Sequence, residues 1–113
     1  MGMIPAVNEK TGEIEFIPMD EILFIKIFKN DVVYYHTFKG TYRRVKGVAE
    51  YTKAFEQKGF SAAFRSIIAQ VDRATRYDRI YRMAYFDHEN YHTQACEVSK
   101  EVGEYLEQKL NRK

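Results

Sequence analysis

The sequence predicts a mostly β chain of the α+β class: a small antiparallel β domain with one short internal helix and one C-terminal helix. Three observations point there. Short segments rich in β-branched and aromatic residues recur between turn-forming clusters. Neighbouring segments joined by brief polar turns read as a meander. The apolar period changes to 3.6 in only two places, between Val45 and Phe55 and from Val98 to Leu110.

The elements follow in order. "VNEKTGEIEFI" reads as a strand, a turn at Lys10-Thr11-Gly12 and a second strand. Gly12 supplies the positive φ that such a turn needs. Pro18 ends that pattern. "EILFIKIF" (21–28) is almost continuously apolar, as a buried strand is. Lys29-Asn30-Asp31 is a polar turn, "VVYYHTF" (32–38) the next strand, and "TYRRV" (41–45) pairs back across Lys39-Gly40. Val45, Val48, Ala49, Thr52 and Phe55 share one helical side, and Gly59 is a natural stop. Ser66 to Val71 and "RIYRMAYF" (79–86) read as strands. Asp87 to Asn90 is a turn, and Tyr91 to Ala95 pairs back. Val98, Val102, Leu106 and Leu110 then form the seam of a final helix. That seam either docks on its own sheet or makes a dimer contact.

Length and composition limit the class. A chain of 113 residues, 45% hydrophobic and 30% charged, is expected to be one domain spanning 1–113. No apolar run approaches a membrane span, and the N-terminus lacks a basic-then-apolar signal. A lone cysteine, Cys96, is expected in a reducing cytoplasmic setting. Charge is unevenly placed. Residues 1–25 hold one base and five acids, residues 26–83 thirteen bases and five acids, and residues 84–113 four bases and six acids. A basic middle between acidic ends is either a nucleic-acid footprint or a set of unrelated solvated positions.

The chemistry-bearing residues are few. His88, His92 and Cys96 recur every four positions, but a turn and a strand separate them, so no metal site is expected. His36 lies in an apolar strand and reads as a packed histidine. Asp72 and Asp78 are flanked by arginines and read as ion-paired turn residues. No phosphate loop or nucleophile elbow occurs, so no enzyme, cofactor or small-molecule substrate is expected. The nine tyrosines read first as half-buried cross-strand residues, and second as a stacking surface for single strands.

Four stretches carry a resemblance. They are "MDEILFIKI", "VVYYHTFKGTYRRV" with His36-Thr37 and Tyr42, the helix closed by Gly59-Phe60, and "FRSIIAQVDRA". From about Ile17 to Val102 the chain resembles the LytTR family of bacterial DNA-binding domains. Its leader, "VNEKTGEIEFIPMDEILFI", is similar to that of short members without a receiver domain, found in bacilli and their phages.

The resemblance implies an elongated β fold. It implies transcription regulation through duplex DNA, read by loops in successive major grooves, commonly on direct repeats as a homodimer or side-by-side pair. Three contact regions carry over: Lys29-Asn30-Asp31; Phe64-Arg65-Ser66 with Gln70; and Ala95-Cys96-Glu97. Phe64 stands where the family has a polar residue, Gln70 where it has Asn, and Ala95 and Cys96 where it has a base. On this reading Arg65 addresses guanine and Gln70, if exposed, adenine. Lys29, Lys39, Arg43, Arg44, Arg73 and Arg76 address phosphates. The competing role for Arg65 is an ion pair with Asp72 or Asp78. The competing function is a protein-interaction module, with exposed Phe64 as its anchor.

Overall fold

The structure, a computed structural model, describes residues 2–29, 32–45 and 52–110. Asn30, Asp31 and the expected helical positions Val48 and Ala49 lie outside them. The described chain begins with a hairpin of β1 (Met3–Asn8) and β2 (Ile14–Pro18), then a meander of β3 (Ile22–Ile27), β4 (Val33–Thr37) and β5 (Gly40–Arg44), whose last strand pairs with β1. After α1 (Thr52–Gln57) come β6 (Ser61–Phe64), β7 (Ile67–Ala69), β8 (Arg76–Asp78), β9 (Met83–His88), β10 (Tyr91–Glu97) and α2 (Lys100–Leu110). Seven strands form one antiparallel sheet in the order β2-β1-β5-β4-β3-β7-β6, and β10-β9-β8 form a second.

Local chemistry fixes the first hairpin. The Asn8 Oδ1 accepts the N–H groups of Lys10 and Thr11, and Gly12 takes φ 78°. Pro18 ends β2 and leads into a single 3₁₀ turn, Met19–Glu21.

The large sheet is buried on both faces at β3, which explains the continuous apolar run there. Ile22 and Ile25 join Ile4, Ala6, Ile17, Tyr35, Phe55 and Phe60 on one face. Leu23 and Phe24 join Ala63, Ile67, Ala69, Phe86, Cys96 and Leu106 on the other. Consecutive residues reach one face because the β3–β4 register shifts between Ile22 and Phe24, a bulge. The small sheet and α2 pack over the second face, on the β3-β7-β6 side.

Three expectations change. The segment after Gly59-Phe60 is a strand, β6, and not a loop; Arg65-Ser66 is the two-residue tip of the β6–β7 hairpin. Residues 79–82 form a turn between β8 and β9, where a strand was expected from 79. Ala95-Cys96-Glu97, which the family resemblance puts past the last hairpin, lie within it, opposite Tyr85, Ala84 and Met83. The α2 seam docks on its own core: Val98 and Leu106 are fully buried.

Candidate nucleic-acid interface

Backbone hydrogen bonds gather one end of the molecule around the Ile27 end of β3. The Ile27 N–H donates to the Ser66 carbonyl at 2.8 Å, and Phe28 N–H to Val32 across the Lys29 turn at 2.8 Å. Ser99 N–H donates to Ala63 at 2.7 Å, and Val98 N–H to Arg82 at 3.0 Å. Lys29, Arg65, Ser66, Arg82, Glu97 and Lys100 therefore share this end, all exposed. Arg44 comes to the same end, one residue past the Tyr34–Arg43 pair of the β4–β5 ladder.

Arg65 is held up by the tightest connection available to two paired strands. Its guanidinium carbon lies 5.8 Å from the centroid of the Phe64 ring, within cation–π range. Phe64 is half-buried and packs its other side on the core. That corrects the view of Phe64 as an exposed anchor: its ring is a pedestal. Among the described residues Arg65 makes no ion pair. The two aspartates that competed for it are engaged elsewhere. Asp72 accepts from Tyr105 and from Lys109 at 3.0 Å. These bonds, Tyr105 first, hold its carboxyl below the usual range. Asp78 caps the next turn, accepting from Ile80 and Tyr81 N–H.

The other end, around Ile22, holds the remaining expected contacts. Gln70 is buried, and its Nε2 donates to the Asp20 and Ile22 carbonyls at 3.0 and 2.7 Å. This corrects its role as an exposed base reader. Arg73 donates to the Asp20 carbonyl at 2.6 Å, and Lys39 pairs with Glu21 at 3.8 Å. Arg76 grips Asp87 twice, at 2.7 and 3.1 Å, and lies over Tyr85. Hydrogen bonds from Arg76, then Thr93 and Thr75, hold the Asp87 carboxyl far below its ordinary range. Between the ends, Arg43 leans toward Glu9 at 3.0 Å. The five steps of β3 put the two ends about 17 Å apart.

Cys96 is wholly buried and faces the core, while His88 and His92 are exposed. Burial pushes its thiol up to about 12. No group of three or more metal-ligating side chains converges among the described residues. No helix among them is long and apolar enough to cross a membrane. Lys100 was missed from sequence. Its signal was weak, a lone lysine beside acids, and only the Ser99–Ala63 bond brings it to Arg65.

No model of a known protein family matches the chain, and no curated protein matches it in sequence. A solved structure does match: a LytTr DNA-binding domain from Bacillus cereus, with a TM-score of 0.60 over 99% of this chain and 99% of its own, at 15% identity. The fold is that of a LytTR DNA-binding domain. The LytTR match spans both sheets and both helices, so the expected fold class holds along the whole chain. At this identity it carries no residue roles, and the geometry above must supply them.

Proposed function

We propose that this chain is a bacterial, cytoplasmic, sequence-specific regulator of transcription that binds duplex DNA without an enzymatic step, as a single domain. The observation that carries this reading is Arg65, exposed at a hairpin tip, unpaired among the described residues, and at the same end of the molecule as Lys29, Arg44 and Lys100. A guanidinium so placed enters a major groove about 12 Å wide and donates to guanine O6 and N7. The neighbouring cations hold phosphates and fix register. Ser66, beside Arg65, adds a short hydroxyl donor at the same tip. Asn30, next to Lys29 in the sequence and outside the described residues, is proposed with it. Lys39, Arg73 and Arg76 are bound to their own protein at the far end, so they are left out of the contact. Direct repeats, read by two copies side by side, complete the reading.

The test is selection of duplexes from a random pool, followed by affinity of wild type and Arg65→Ala for the best sequence at matched salt. Arg65→Ala is expected to weaken specific binding by about 1–3 kcal/mol with an unchanged melting temperature. Equal affinity of the two forms removes Arg65 from the interface. No enriched sequence, with retention on DNA indifferent to salt, favours the protein-interaction reading instead.

A further inference from the structure

Two hairpin turns, one from each sheet, meet at the end of the molecule away from Arg65. In the β4–β5 turn the Thr37 hydroxyl accepts from the Lys39 and Gly40 N–H groups. In the β9–β10 turn His88 Nδ1 accepts the Asn90 N–H at 3.0 Å. Gln94 of β10 ties the sheets together here by donating to the Thr37 carbonyl at 3.0 Å. Three rings gather between the turns. Phe38 lies 5.0 Å from His88 and 6.2 Å from Tyr91, within 19° of parallel to the latter, and His88 lies 4.9 Å from Tyr91. Tyr91 is still 42% exposed.

Two adjoining hollows of about 180 and 480 Å³ open beside these rings, with Phe38, Lys39 and Tyr91 as their common wall. Together they have the size of an ordinary small-molecule site. Single 3₁₀ turns bring Glu21 and Arg73 to the smaller hollow, and the β9–β10 turn brings Glu89 to the larger. The polar groups are not used up. Arg73 gives one N–H to the Asp20 carbonyl, and its others meet no acceptor among the described residues. Lys39 makes only the 3.8 Å contact with Glu21, its side chain 59% exposed. Because His88 Nδ1 accepts, the neutral ring carries its proton on Nε2, as a donor. Sequence pattern does not announce this corner, since its walls come from four turns spread between Glu21 and Tyr91.

We propose that this corner binds a purine nucleoside monophosphate. The base stacks against Tyr91 and Phe38 in the larger hollow, with Glu89 accepting from its amino edge. The phosphate sits between Lys39 and Arg73 in the smaller one, where two cations face the single carboxylate of Glu21. Each half of the ligand has its own partner. A planar base gains from exposed aromatic faces, and a phosphate from charge-assisted bonds to a guanidinium and an ammonium. Bare phosphate forgoes the stack, an uncharged aromatic leaves both cations unanswered, and an aromatic cation is repelled by them. No residue of this site belongs to the Arg65 end, so the ligand leaves that end free. The site stands or falls without DNA.

Isothermal titration of the full chain with AMP and with GMP tests it, beside their nucleosides and inorganic phosphate at the same concentrations. At least one nucleotide should bind, more tightly than its nucleoside, and phosphate alone should give no binding heat. Tyr91→Leu should weaken the nucleotide about tenfold by removing the stack. Lys39→Gln should weaken the nucleotide and leave the nucleoside unchanged. Both residues are exposed, so both variants should keep the wild-type circular dichroism and its affinity for duplex DNA. Failure of both nucleotides to bind overturns the proposal. So does a Tyr91→Leu or Lys39→Gln chain that binds the nucleotide as tightly as wild type, or phosphate that binds as tightly as the nucleotide. Nucleotide binding lost in Arg65→Ala and kept in Lys39→Gln would also overturn it, by moving the ligand to the other end.

Discussion

Arg65 and Gln70 sit five positions apart and meet different surroundings. The guanidinium rests on one aromatic ring at the surface, while the amide is consumed by two carbonyls inside. The sequence made Arg65 legible because a glycine-phenylalanine pair and a short polar step announce a turn. Gln70 was not legible, because its partners, Asp20 and Ile22, are 50 and 48 positions away. Gln70→Leu is expected to cost about 1–3 kcal/mol of stability by taking the side-chain donor from the buried Ile22 carbonyl, the Asp20 carbonyl keeping Arg73, while leaving base preference intact. Urea unfolding and a repeat of the duplex selection check both halves. His36 offers a pH test. It stacks on Phe24 at 4.6 Å, and burial, with Lys26 second, lowers its pKa from 6.5 to about 4. The folded chain prefers the neutral ring. Its contribution is complete above pH 6.5 and drains away as pH falls toward 4, by about 3 kcal/mol at most. His36→Phe should flatten the melting temperature across that window. Further loss below 3.8, where the unfolded chain takes up protons on Asp72 and Asp87 while the folded chain still holds them ionised, should remain.

Among the elements, those with strong internal pattern were readable and those made by pairing were not. β3 and the α2 seam are dense in apolar residues at a fixed period. β6 is Ser-Ala-Ala-Phe, weak in β propensity, and becomes a strand only because β7 lies beside it. β8 is three residues with two charges. α2 is held by more than its seam. Tyr105 and Lys109 reach Asp72, and buried Gly103 lets the Tyr77 ring lie against the helix backbone. A methyl group at position 103 would overlap the Tyr77 hydroxyl and ring carbons. Gly103→Ala should therefore destabilise by about 1–3 kcal/mol, although alanine favours a helix by about 1 kcal/mol. Tyr77→Leu in the same chain should recover part of that loss, measured as the shift in urea midpoint.

Over the whole molecule, long axis 42 Å, the register of β3 decides which charges act together. The sequence displayed a basic middle but not its division: Lys29, Arg44 and Arg65 fall at one end, where Lys100 joins them, and Lys39, Arg73 and Arg76 at the other. With about three phosphate contacts, the logarithm of affinity should fall with the logarithm of salt at a slope of about −3. Arg76→Ala should leave that slope unchanged. A steeper slope that Arg76→Ala reduces would bring the far end into the contact. Cys96 has a use at this scale. It is wholly buried in the core between the two sheets, in one cluster with Leu23, Phe24 and Phe86, and keeps its proton at any physiological pH, so reagents that alkylate thiolates should ignore it in the intact chain. Labelling then becomes a clock for separation of the two sheets, and a variant that loosens their packing should announce itself by faster capture of that single sulfur.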